Sequence, residues 1–90
     1  MAVRIEVPTV LRGLTDGQRE VAGAGADLAE VVADVEVRYP GFSAKITDEG
    51  GLRKFVNIYI NDEDVRFLDG LATQVADGDV VTILPAVAGG

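Results

Sequence analysis

Ninety residues with 48% hydrophobic and only 6% aromatic content allow one aliphatic core of Val, Ile, Leu and Ala, which at this size needs neither metal nor disulfide. The net charge of −7, from 15 acidic against 8 basic residues, disfavours nucleic acid and anionic membrane surfaces and makes a basic protein surface the better partner. The absence of Cys and His excludes disulfides, thiolate nucleophiles, the usual zinc ligands and the imidazole base of hydrolytic triads.

Val3, Ile5 and Val7 alternate with Ala2, Arg4 and Glu6, the pattern of a strand buried on one face. This opening is no apolar signal stretch, and no run approaches the ~20 apolar residues of a membrane span, so a cytoplasmic protein is expected. Pro8 to Gly17 reads as a connection ending in the reversal TDGQ, with a second strand around Arg19 to Ala22 pairing back antiparallel. Asp27 and Glu30 have capping-box spacing, and Leu28, Val31, Val32, Val35 and Tyr39 form the apolar stripe of a helix that Pro40 and Gly41 end. Phe42 to Ile46 reads as a further helical turn and Asp48 to Gly51 as an exposed loop.

The strongest strand signal is FVNIYIN, with Val56, Ile58 and Ile60 on one face and Phe55, Asn57, Tyr59 and Asn61 on the other. Asp62 to Asp64 is expected to turn, VRFL to form a short edge segment, and Asp77-Gly78 to reverse the chain again. VVTILP is the last strand, with Ile83 and Leu84 as its anchors and Pro85 as its end. Strand, strand, helix, then two or three strands predicts an α+β, ubiquitin-like β-grasp fold. Its mixed four- to five-stranded sheet carries one main helix on one face, with the first and last strands side by side in the centre. The predicted division is a domain over residues 1–85 and a flexible tail over residues 86–90 ending in Gly-Gly.

Several stretches invite functional readings and are better explained structurally. Gly23 and Gly25 in VAGAGADL suggest a dinucleotide loop, but Leu28 occupies the third small position and a hairpin-first layout lacks the required parallel unit. Asp62, Glu63 and Asp64 lack the alternating ligands, central glycine and closing Glu of a calcium loop, and read as a solvated turn or an acidic docking rim. Lys45, Lys54 and Tyr59 could serve acid or base chemistry, yet no pattern pairs them with a partner, so no metal site and no catalytic residue is assigned.

The tail differs, because glycine has no Cβ to obstruct approach to a terminal carboxylate. Five residues beyond Pro85, at about 3.3 Å each, extend roughly 16 Å, enough to enter a partner's active site.

IEVPTVLR (Ile5 to Arg12), FVNIYINDEDVRFLDGLATQVADGD (Phe55 to Asp79) and VTILPAVAGG (Val81 to Gly90) together resemble the ThiS/MoaD sulfur-carrier family, and within it the CysO branch. The resemblance implies a carrier, not an enzyme, whose Gly90 carboxylate is adenylated by an E1-like enzyme and converted by a sulfur donor to a thiocarboxylate. Gly89, Ala88, Val87 and Ala86 would thread into that enzyme, and Phe55, Tyr59 and Phe67 are candidates for its docking patch. In the CysO branch the thiocarboxylate attacks an aminoacrylate on a pyridoxal-phosphate cysteine synthase, and after an S-to-N acyl shift a zinc metalloprotease of the JAMM type releases cysteine. ATP, pyridoxal phosphate and zinc would belong to those partners, and the carrier itself would bind no cofactor. Alternative destinations are thiamine, molybdopterin or natural-product thiolation, or a ubiquitin-like modifier ending on a substrate lysine. A non-covalent binding module or an enzyme of another kind is the third class.

Overall fold

Ala2–Glu6 forms the first strand, β1, with Val3 and Ile5 buried and their neighbours exposed, as the alternation requires. The computed structural model describes residues 2–49, 51–54 and 56–85. After β1 the chain winds through a 3-10 helix, Thr9–Thr15, where an irregular connection was expected. The segment is ordered by the burial of Leu11 and Thr15, and the Thr15 hydroxyl donates to the Gln18 carbonyl at 3.0 Å. Asp16 and Gly17, at φ of 55° and 80°, reverse the chain into β2 (Glu20–Ala24), which pairs antiparallel with β1 from Ala2↔Ala24 to Glu6↔Glu20.

Asp27 caps the main helix, α1 (Leu28–Arg38), by accepting the Glu30 N–H at 2.9 Å. Glu30 returns its carboxylate to the Ala26 N–H at 2.8 Å, one residue before the usual capping-box position. Leu28, Val31, Val32 and Val35 are buried against the sheet, with Tyr39 packed beside them. The two glycines before α1 make this close approach possible. A Cβ at Gly25 would lie 2.6 Å from the Glu30 Cβ and 2.8 Å from the Val31 backbone nitrogen, and one at Gly23 would lie 2.9 Å from both Ile5 and Val31. They are packing glycines.

Gly41, at φ 98°, turns the chain into α2 (Phe42–Ile46), which buries Phe42 and Ile46. The Glu36 carboxylate staples the two helices by accepting the backbone N–H groups of Gly41 at 3.0 Å and Ser43 at 2.7 Å. These bonds favour the ionised form and hold Glu36 below its ordinary 4.5; the Ala24 N–H, and then Arg38, do the same for Asp34. A lowered folded pKa contributes stability above the unfolded value that is lost as pH falls through the folded one. The thermal midpoint is therefore expected to decline below pH 4.5, and less steeply in Glu36→Gln, measured by circular dichroism across that range.

Two expectations need correction. The segment from Asp48 to Gly51 is no plain loop: Thr47–Asp48 (β3) pairs antiparallel with Gly51–Leu52 (β4), with Gly51 at φ 108° and Leu52 packed on the core. After β5 (Val56–Ile60), the edge strand β6 is Glu63–Asp64 and not VRFL. Asn61 and Asp62, at φ 50° and 72°, make the two-residue reversal. The Asp64 side chain then accepts the Arg66 N–H and starts a 3-10 turn, Val65–Phe67, that buries Val65. Sinking Val65 into the core is incompatible with continuing along the sheet edge.

The last strand, β7 (Val80–Pro85), lies between β1, to which it is parallel, and β5, to which it is antiparallel. The five-stranded order is β2-β1-β7-β5-β6. The helices cover the face carrying Val3, Ile5, Val21, Ile58, Val81 and Ile83, so the fold is a ubiquitin-like β-grasp.

Candidate functional site

β7 is paired on both sides over Val80 to Thr82, and its last residues are held by β5 alone. Its pairing with β5 runs to Val56↔Pro85, whereas its pairing with β1 stops at Glu6↔Thr82. The early stop has a local cause. Arg4 donates its N–H towards β7, to the Asp79 carbonyl at 3.0 Å; the positions in phase with it are Glu6 and Pro8, and Pro8 has no N–H to donate.

The two expected anchors separate here. Ile83 is buried on the helix side, while Leu84 points to the open face and remains 49% exposed. Leu84 therefore belongs to the surface around the chain's exit and not to its anchorage, a consequence of the two-residue strand period. Across β5, Asn57 stands opposite Leu84 and the half-buried Tyr59 opposite Thr82, on the face away from the helices as expected. Asn57 is fixed by Arg66, whose guanidinium donates to its Oδ1 at 2.8 Å and to the Arg53 carbonyl at 2.6 Å.

Phe67 is 87% exposed on the 3-10 turn beside Arg66. Phe55 and residues 86–90, which include the tail residues Ala86, Val87, Ala88, Gly89 and Gly90, lie outside the described residues.

Where β1 turns away, an open groove of about 560 Å³ lies beside Ile83 and Leu84. Arg12 and Arg19 line it, and both are tied to Val7: the Arg12 Nε donates to the Val7 carbonyl at 3.1 Å, and the Val7 N–H donates to the Arg19 carbonyl at 2.9 Å. Sequence reading missed this groove. Its one visible signal was Pro8, in phase with Arg4 and Glu6.

The other candidate side chains are not assembled into a site. Lys45 is exposed on α2, Lys54 is exposed before β5, and Tyr59 lies within β5. Among the described residues no group of His, Cys, Asp or Glu side chains could hold a metal ion, and no helix is long and apolar enough to cross a membrane. What the geometry offers is a rigid central strand that delivers the chain to a partly apolar surface.

Known proteins resemble this chain in sequence and in fold. Residues 5–90 match the ThiS family. The sulfur carrier protein CysO of Mycobacterium tuberculosis is 55% identical, with 100% of both chains covered. A chain in the crystal structure of the Amycolatopsis orientalis BexX/CysO complex superposes with a TM-score of 0.94 at 50% identity, covering 98% of this chain and 99% of that one. Small archaeal modifier protein 3 of Haloferax volcanii is 37% identical over 72% of this chain and 71% of its own.

Proposed function

The chain belongs to the ThiS family of sulfur carriers, and from that premise we propose that its Gly90 carboxylate is the working group. An E1-like partner transfers AMP from ATP to that carboxylate with release of pyrophosphate, and a sulfur donor then displaces AMP to leave a thiocarboxylate. The carrier needs no catalytic side chain, because the thiocarboxylate sulfur is itself the nucleophile. The observation that carries this reading is the pairing of β7, flanked by β1 as far as Thr82 and by β5 as far as Pro85, which anchors the chain to that point and leaves residues 86–90, about 16 Å when extended, to enter the partner. The exposed Leu84 and Phe67 and the half-buried Tyr59, with Phe55 as the sequence-derived candidate, are the residues proposed to dock the partner.

The CysO likeness supports cysteine synthesis as the destination. In this reading the thiocarboxylate adds to an acceptor on a pyridoxal-phosphate cysteine synthase, the acyl group migrates from sulfur to nitrogen, and a JAMM-type zinc metalloprotease hydrolyses the new amide to release cysteine and restore the Gly-Gly end. ATP, pyridoxal phosphate and zinc reside in those cytoplasmic partners. The archaeal modifier likeness favours a second reading, in which the activated terminus forms an isopeptide with a substrate lysine.

Intact mass spectrometry after incubation with the E1-like enzyme, ATP and sulfide separates the two. Replacement of one oxygen by sulfur at Gly90 is the expected result; protein conjugates of higher mass would establish the modifier instead. An unchanged mass with an enzyme proven active would sink both.

A further inference from the structure

We propose that the groove beside Leu84 is an electrostatic docking site for a carboxylate-bearing segment of the adenylating partner, with Arg12 and Arg19 as its specificity-determining residues. The inference rests on the carrier reading above and adds the chemistry of the partner's contact. In a chain of net charge −7, the groove next to the tail exit contains two arginines in no ion pair among the described residues. The two groove carboxylates are already engaged: Glu6 accepts the Thr82 hydroxyl at 2.9 Å, and Glu20 approaches Arg4 at 3.9 Å. Both carboxylates keep their charge in the groove, but neither is paired with Arg12 or Arg19 among the described residues, so the two guanidiniums stay open to a carboxylate from outside.

Arg12 is prepared for such a contact. It is half-buried, and with Nε held by the Val7 carbonyl its two terminal nitrogens keep their donors for a carboxylate, the geometry a planar guanidinium recognises in bidentate fashion. Arg19, exposed among the groove's lining residues, adds charge with no hydrogen bond to its side chain among the described residues. Two guanidiniums beside the exit of a chain of net charge −7 also give the encounter a local point of attraction for a carboxylate.

The test measures adenylation of the full chain by the E1-like enzyme of the same organism, followed by pyrophosphate exchange over a salt series. Each exposed charge pair removed is expected to raise the KM for carrier by up to roughly fivefold, so Arg12→Gln with Arg19→Gln should raise it by up to roughly 25-fold and flatten its salt dependence, with kcat retained. Arg19→Glu should raise KM further, and a lysine replacing the facing carboxylate of the enzyme should recover it. If Arg12→Gln disturbs the Val7 bond and lowers the thermal midpoint, Arg19→Gln alone decides. Unchanged KM and salt slope in Arg19→Gln and Arg19→Glu, while removal of Gly90 still stops exchange, would overturn the groove and leave the carrier reading standing. No exchange with the wild-type chain would overturn both.

Discussion

Removal of Gly90 is expected to stop ATP-dependent activation while leaving the thermal midpoint unmoved. The shortened chain still ends in glycine, Gly89, so the variant isolates reach from steric clearance. One residue contributes about 3.3 Å of extended chain, and a displacement of even ~1 Å at a reacting centre costs about 10²-fold, so activity should fall by at least that factor. Gly90→Ala tests the other half: the length is kept and a Cβ is placed beside the reacting carbon, which should reduce kcat more than it raises KM. Pyrophosphate exchange and intact mass report activation; circular dichroism reports the fold. A fall in the thermal midpoint on deletion would show that the tail is packed against the domain, and retained exchange would remove Gly90 from its assigned role.

The largest effect on stability is expected from Phe42→Ala. Phe42 is fully buried where α2 meets the core, and it is the largest of the fully buried side chains. Truncation of a buried Phe costs about 3–5 kcal/mol, because the transfer free energy is lost and a cavity remains. For a domain of this size, total stability is about 5–15 kcal/mol, so about a fifth or more is expected to be lost. The midpoint should fall by at least roughly 12 °C, at about 4 °C per kcal/mol. Phe42→Leu, which refills most of the volume, should recover much of it. A midpoint within a few degrees of wild type for Phe42→Ala would mean that α2 is not part of the cooperative core.

Most of the architecture was legible from local pattern. Period-two alternation at Val3, Ile5 and Val7 and at Val56, Ile58 and Ile60, and the stripe from Leu28 to Val35, each identify one buried face without reference to any other segment. The misses occurred where the deciding interaction is non-local or very short. The β3–β4 ribbon is two residues on each side, too short to display a period, and VRFL was diverted from the sheet edge because Val65 found space in the core. Leu84 looked like an anchor because it follows Ile83 in an apolar run; only the register Asn57↔Leu84 places it on the open face.

The amino-acid sequence by itself determined that this is a single aliphatic α+β domain without thiol or imidazole chemistry, and its closing Gly-Gly motif pointed to a carrier instead of a catalyst. Those properties follow from composition and local order, which do not depend on how the chain is folded. Tertiary structure decided where the last strand lies and what stands beside its end. Parallel pairing of β1 with β7, interrupted at Pro8, joins residues more than seventy positions apart, as in the bond from Thr82 to Glu6. That interruption opens the groove and sets Arg12 and Arg19 beside Leu84. No local pattern carries this information, because the register between the first and last strands is set by the packing of both against the helices.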